Sequence, residues 1–317
     1  RLQGDWSSDV CSSDLAGMCG AMARTRDEWL SHEHGRAMAA VPEVVITKIA
    51  DSNPMPFTPR ARPLEGIRVL DLTRVLAGPT CARTLASHGA NVLKINSPHL
   101  PSVPPFVMDT GHGKRSAFLD LDQATDLARL KTLAESADVF SQGYRKGALA
   151  KRGLSPEALA SLRPGIIYVS INAYGHVGPW SGRPGWEQLA QTATGIAVDE
   201  GTFEAPRLLG AAATDYTTGY LAALGAMAAL VRRANEGGSY HVEVSLTQTA
   251  NWLYRFGLFD RNEAAAPFDL SLAEPYMTSS DSGFGKLHHL TPIVSMSETP
   301  PHWAQVTVPL GSHPAAW

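Results

Sequence analysis

PLEGIRVLDLTRVLAGPTCARTLASHGANVLKI, residues 63–95, decides the fold. IRVLDL at 67–72 is a nearly continuous apolar run of strand length. TRVLAGP then supplies a turn, residues 80–88 suit a helix, and NVLKI at 91–95 is a second apolar run. A strand, a helix and another strand within about thirty residues form a βαβ unit, so the two strands are expected to lie parallel. The same alternation continues outward. Further strands are expected at VVITKI (44–49), AFLDL (117–121), ADVFSQ (137–142), GIIYVSI (165–171) and YHVEVSL (240–246). Helices are expected over 124–136, 156–162, 187–193, 216–233 and 247–256, with one more over 25–40 that opens on a Thr25/Glu28 capping box. Strands without polar alternation are buried on both faces. The pattern predicts an α/β, doubly wound, mostly parallel sheet with flanking helices. Ligands of such sheets sit beyond the carboxyl ends of the strands.

The 317 residues carry 27 Lys+Arg against 30 Asp+Glu, a net charge of -3. Such a balance offers no general attraction to nucleic acid or to an anionic membrane. The longest run of small apolar residues, 221–231, is about half the ~20 residues that a membrane-spanning helix needs. Cys11, Cys19 and Cys81 form no Cys-x-x-Cys pair, and the eleven histidines show no metal-binding spacing, so neither a metal site nor a disulfide framework is expected. Sparse cysteine fits a cytoplasmic setting.

Four segments are expected. Residues 1–15, RLQGDWSSDVCSSDL, read either as a translated sequencing-adapter tract or as a disordered tail. Residues 16–62 end in the Pro-rich linker SNPMPFTPRAR, which runs on into Pro63. Residues 63–256 carry the alternating core. In 257–317 the alternation fades, and this stretch is expected to wrap over the core. The chain begins with Arg1 rather than Met, which suggests a truncated start.

Three groups of residues suggest chemistry. Arg74, Val75, Leu76, Ala77 and Gly78 lie in the first strand-to-helix turn. There Gly78 would let backbone approach a ligand, and the helix start would offer N–H groups to an anion, although a Gly-Pro helix start is also common in α/β folds generally. Cations gather after the expected strands: Lys94, then Lys114 and Arg115 in GHGKRS, then Arg145, Lys146, Lys151 and Arg152. A phosphate-rich ligand would use them, whereas a solvated charged face would not. Asp215, in TDYTTG ahead of the helix, either caps that helix or serves as a nucleophile that the helix field keeps ionised.

Together these segments resemble a family III CoA-transferase, the group that includes carnitine and formyl-CoA transferases and α-methylacyl-CoA racemase. The resemblance runs through residues 63–95, GKRSAFLDL, ADVFSQGYRKGALAKRGLS, RPGIIYVSINAYGHVGPWSGRPGWEQLAQTATG, and TDYTTGYLAALGAMAALVRR with GGSYHVEVSL. It implies a Rossmann-like CoA-binding domain in an interlocked homodimer. It also implies coenzyme A as a substrate with no tightly bound cofactor, and an aspartate that becomes acylated. The family's Gly-Asp-x-x-x-Gly pattern falls on Asp215 to Gly219, with Thr214 in place of the first glycine. CoA contacts would come from Arg74–Gly78, from Lys94, from Gly113, Lys114, Arg115 and Ser116, and from Tyr144, Arg145 and Lys151. Asn96 stands where the family usually has a glutamate. Residues 24–51 resemble a segment found late in family chains, which suggests the remnant of a preceding lid or small-domain segment and the second half of a tandem or rearranged transferase.

The expected activity is transfer of CoA between carboxylic acids through an aspartyl anhydride and an aspartyl-CoA thioester. Backbone amides at the helix start would steady the oxyanions. An acyl-CoA racemase or isomerase is the alternative within the family, but Trp186 in Gly185-Trp186-Glu187 occupies the place of its acid/base histidine. A non-catalytic half that only binds CoA or a partner is the other alternative.

Overall fold

The computed structural model describes residues 18–259 and 269–317. The expectation for residues 1–15 therefore lies outside the described residues. Two compact units are formed: one from residues up to Glu43 with Asn172–Asp215 and Val244–Phe256, the other from Val44–Ile171, Tyr216–Glu243 and Gly257–Trp317.

The second unit carries the sheet. Its strands are β1 (Val45–Ala50), β2 (Arg68–Asp71), β3 (Asn91–Asn96), β4 (Lys114–Phe118), β5 (Val139–Gln142), β6 (Ile167–Asn172) and β7 (Ser239–Ser245). Their spatial order is β1-β7-β6-β5-β2-β3-β4. Strands β4, β3, β2, β5 and β6 run parallel, and β1 pairs antiparallel with β7. The expected α/β, doubly wound, mostly parallel sheet is present. The order reverses between β2 and β5, because the chain leaves β2 toward β3 on one side and leaves β5 toward β6 on the other. That reversal opens the crevice that ligands of such sheets use.

On one face, Leu70, Leu72, Leu93, Phe140 and Tyr168 pack with Leu130, Leu133 and Leu159. These last three come from α5 (Ala124–Ala134) and α6 (Pro156–Leu162). Also in this unit are α3 (Ala77–Ser87) and α4 (Pro104–Thr110), and most of the long α9 (Ala213–Glu236). α9 is built from small residues so that it can approach closely. A methyl group on Gly219 would overlap the Ala77 carbonyl and the Thr80 side chain. At the outer strand β4, the His313 amide donates to the Ser116 carbonyl at 2.8 Å and the Gly311 amide to Ser116 Oγ at 3.1 Å. The chain's end thus covers a strand edge that would otherwise invite foreign pairing.

The other unit contains α1 (Arg26–Ser31), α2 (Glu33–Ala39), α7 (Glu187–Thr194), α8 (Ile196–Glu200) and α10 (Leu246–Leu253). The single helix expected over 25–40 is two. His32 breaks it with extended backbone, and its Nδ1 accepts from the His34 amide at 3.0 Å to start the second helix. The Thr25/Glu28 capping box is formed. His34 is buried: Nε2 donates to the Tyr174 carbonyl at 2.6 Å, and Nδ1 accepts from the Trp180 amide at 3.2 Å. Burial pushes its pKa down to about 4, so this neutral tautomer persists at physiological pH. None of the described helices is long and apolar enough to cross a membrane.

Two other segments depart from expectation. The third parallel strand is 114–118 rather than 117–121. Residues 277–290, where alternation fades, form an antiparallel hairpin of β8 (Met277–Ser282) and β9 (Gly285–Leu290).

The shift of β4 has an electrostatic cause. Lys114 and Asp71 are both wholly buried, with Lys114 Nζ 2.8 Å from Asp71 Oδ2 and 2.8 Å from the Pro79 carbonyl. Lys94 Nζ reaches the Thr73 carbonyl at 2.8 Å and lies 3.7 Å from the same Asp71 oxygen. Thr73 returns its amide to Asp71 Oδ1 at 3.0 Å. Burial opposes the charge on Asp71, yet the two lysines outweigh it and hold the carboxyl below its usual range. Burial pulls Lys114 down to about 8, with Asp71 only partly offsetting it. One carboxylate thus ties β2, β3, β4 and the entry to α3. Asp71→Asn strands two buried ammonium groups, and urea denaturation is expected to show a loss of about 3–5 kcal/mol. A loss within about 0.5 kcal/mol of zero would contradict the tie.

Candidate active site

Asp215 lies in the first turn of α9 and is 5% exposed. It was expected either to cap this helix or to be kept ionised by it, and the structure does neither. The capping carboxylate is Glu187, at the start of α7. One Glu187 oxygen accepts from Thr214 Oγ1 at 2.6 Å and from the Asp215 amide at 2.5 Å. The other accepts from the Thr214 amide at 3.2 Å and from the side-chain amide of Gln191. Gln191 in turn accepts from the Leu209 amide at 2.9 Å. A carboxylate that receives amides at a helix start is well stabilised there.

Asp215 therefore keeps its own carboxylate free of hydrogen bonds to the described residues, in a buried place beside a second carboxylate. Burial pushes its pKa up, and the Glu187 charge adds to that, to about 7. Both influences oppose the helix field that the sequence suggested would keep Asp215 ionised. An expected oxyanion device is also lost, since the Thr214 and Asp215 amides are occupied by Glu187. Sequence reasoning missed Glu187, because no spacing rule links it to an aspartate 28 positions later. Trp186 itself is 51% exposed.

The residues expected to contact CoA divide into three groups. Arg74–Gly78 follow the carboxyl end of β2, and Tyr144, Arg145 and Lys151 follow that of β5, the two strands that flank the reversal. Arg74 donates to the Pro101 carbonyl, and its charge acts on the half-buried Tyr144, whose pKa is nonetheless raised by burial. Arg145 and Lys151 are exposed. Val75 adopts a left-handed φ of 66°, a strained state for a β-branched residue, and strain of this kind concentrates at ligand clamps. Asn96, at the carboxyl end of β3, has a buried Oδ1 without a hydrogen-bond partner among the described residues.

Lys94 and Lys114 form the second group. They lie within strands rather than after them, and their ammonium groups are engaged by Asp71 and by carbonyls, not offered to solvent. Gly113, Arg115 and Ser116 are the third group. Gly113 turns the chain into β4, and Arg115 and Ser116 are its second and third residues. The register pairs Lys114 with Val92, near the start of β3, so Gly113–Arg115 lie toward the amino edge of the sheet, away from the reversal. Gly78 also differs from expectation, since the space over its Cα is filled by the Thr73 side chain. The missing Cβ serves that internal contact.

The sequence model described as CoA-transferase family III matches residues 64–268. The acetyl-coenzyme A transferase nodX of Hypoxylon pulicicidum is 34% identical over 77% of this chain and 44% of its own length. The succinate–glutarate CoA-transferase of Agrobacterium fabrum is 34% identical over 59% of this chain and 52% of its own. Among solved structures, Rv3272 from Mycobacterium tuberculosis in its orthorhombic form superposes with a TM-score of 0.59 at 30% identity, covering 66% of this chain and 62% of that one. The chain spans about half the length of these two named relatives.

Asp215 makes stability depend on pH. Its folded pKa of about 7 lies above the ordinary 3.8, so its favourable contribution is complete below pH 3.8 and is lost as pH rises through about 7. Asp215→Asn is therefore expected to gain stability relative to the native chain between pH 4 and pH 8, by up to about 4 kcal/mol. Thermal melts across that window give the difference directly, and a difference independent of pH would show that the carboxyl titrates normally.

Proposed function

Because the chain belongs to CoA-transferase family III, we propose that it moves coenzyme A from an acyl-CoA to a carboxylic acid, with Asp215 as the covalent nucleophile. The observation that carries this reading is a buried carboxylate with no hydrogen bonds to described residues and a pKa raised to about 7. Such a group combines high basicity with substantial ionisation at neutral pH, which suits a nucleophile.

The ionised Asp215 oxygen attacks the thioester carbonyl. The C–S bond breaks, leaving an acyl-aspartyl anhydride and CoA thiolate. The thiolate attacks the aspartyl carbonyl, releasing the donor acid and forming an aspartyl-CoA thioester. The acceptor carboxylate attacks that thioester, giving a new anhydride and thiolate. Finally the thiolate takes the acceptor's acyl carbonyl, and Asp215 is regenerated. Covalent catalysis replaces one difficult exchange with easier steps. Glu187 is a positioning residue here: it pins the Asp215 backbone while its charge raises the basicity of the attacking oxygen. Burial serves a second purpose, because water would hydrolyse the anhydride.

The loops after β2 and β5 supply the nucleotide crevice in this reading. Arg74, Arg145 and Lys151 provide cations for phosphate, and Asn96 provides an acceptor. Trp186 speaks against racemisation, since an indole ring cannot shuttle a proton to and from carbon. As in the family resemblance, the working unit is a cytoplasmic homodimer, and light scattering on the purified chain measures its mass.

With an acyl-CoA and a labelled carboxylate, label is expected to enter the CoA pool, and hydroxylamine is expected to trap a hydroxamate at Asp215. Asp215→Ala should lower kcat by at least about 10³-fold. Activity should rise with pH through about 7 as Asp215 ionises, and Glu187→Gln should move that limb to lower pH. Full activity in Asp215→Ala, or CoA binding without any turnover in the native chain, would overturn the proposal.

A further inference from the structure

A cavity lies in the sheet-bearing unit, apart from the reversal of strand order between β2 and β5. It has a volume of about 310 Å³, near the lower end of the roughly 300–1,000 Å³ typical of small-molecule sites. One wall is the second half of α3, the end of α4 and the first turns of α9. The other is the end of β9, contributing Leu290, and the segment after it, contributing Ile293, Val294 and Trp303. α3 leaves the carboxyl edge of the sheet after β2 and returns to the amino edge ahead of β3. Its Arg83 to His88 end, and the cavity with it, therefore belongs to the amino edge, away from the loops assigned to nucleotide.

The polar end of the cavity is built from three side chains. Arg83 Nη1 lies 2.6 Å from Asp109 Oδ1, and Tyr216 donates its hydroxyl to Asp109 Oδ2 at 2.8 Å. The guanidinium sits over the Trp303 ring at 5.6 Å and the Tyr216 ring at 6.0 Å. Trp303 is fixed in turn, its Nε1 donating to the Arg83 carbonyl at 3.1 Å. Arg83 is thus covered and neutralised, whereas the Asp109 side chain remains 37% exposed. A carboxylate has about four lone-pair sites, and these contacts occupy two. The tyrosine stays protonated as a donor, since burial and Asp109 both raise its pKa. At the apolar mouth, Leu290, Ile293 and Val294 are all substantially exposed, an uncovered apolar lip of the kind that marks a binding site.

We propose that this cavity binds a small, uncharged, mainly apolar molecule carrying one hydroxyl or amide donor, the donor meeting Asp109 and the apolar body lying against Trp303 and the 290–294 segment. An anionic ligand would face the Asp109 carboxylate, and a cationic one would lie beside Arg83. A neutral donor avoids both penalties and uses the open lone pairs. This site does not rest on the transferase reading, because none of its residues is assigned to that chemistry.

4-Ethylphenol is the probe, titrated calorimetrically into the full chain, with ethylbenzene and 4-ethylbenzoate as comparisons. The phenol should bind one to one. Ethylbenzene, which lacks the donor, should bind at least about tenfold more weakly, and the benzoate should bind no better than ethylbenzene. Thr84→Trp fills the cavity and should abolish phenol binding with an unchanged circular dichroism spectrum. Ile293→Asp, at an exposed position that folding does not need, should weaken it at least about tenfold. The proposal is overturned if the folded native chain shows no saturable phenol binding, if Ile293→Asp leaves it unchanged, or if the benzoate binds as tightly as the phenol.

Discussion

Two carboxylates meet at the start of one helix, and only one of them can take its amides. Glu187 accepts the Thr214 and Asp215 amides and the Thr214 hydroxyl. That leaves Asp215 buried, unbonded to described residues and next to a negative charge. Its protonation near neutrality is the physical result of this division. Had Asp215 capped the helix itself, it would be a strongly stabilised anion and a poor nucleophile. Thr214 belongs to the same arrangement, since its hydroxyl supplies Glu187 with one of its donors.

The sheet is organised by a comparable economy of charge. Asp71 at the end of β2 satisfies Lys114 and approaches Lys94, so the two lysines serve architecture. In the proposed function, the loops that meet the nucleotide are those at the reversal of strand order. They carry the strained Val75, the cation of Arg74, and the exposed Arg145 and Lys151. The same family signature thus contains residues of two kinds, and burial separates them.

Much of this was legible in the sequence. The apolar runs at 67–72, 91–95, 137–142, 165–171 and 240–246 are strands because both sheet faces are covered, and uninterrupted hydrophobicity announces that. The run at 117–121 misleads because Lys114 and Arg115 look like loop residues. A lysine can enter a buried strand only when a partner such as Asp71 waits inside, and a partner 43 positions away leaves no local trace. The hairpin at 277–290 was hidden for the opposite reason: its strands are polar and largely exposed, so no periodicity marks them. Asp215 was identifiable from Asp-x-x-x-Gly before a small-residue helix. Its environment was not, because Glu187 reaches it only through tertiary folding, and local reasoning assigned the helix field a sign that burial overrules.

The most direct measurement of this account is infrared difference spectroscopy of the native chain against Asp215→Ala as pH is varied. The account predicts the carbonyl stretch of a protonated carboxylic acid, present at pH 6, fading with a midpoint near 7, and absent from the variant. A difference spectrum showing only ionised carboxylate at pH 6, with the acid band emerging below pH 5, would contradict it.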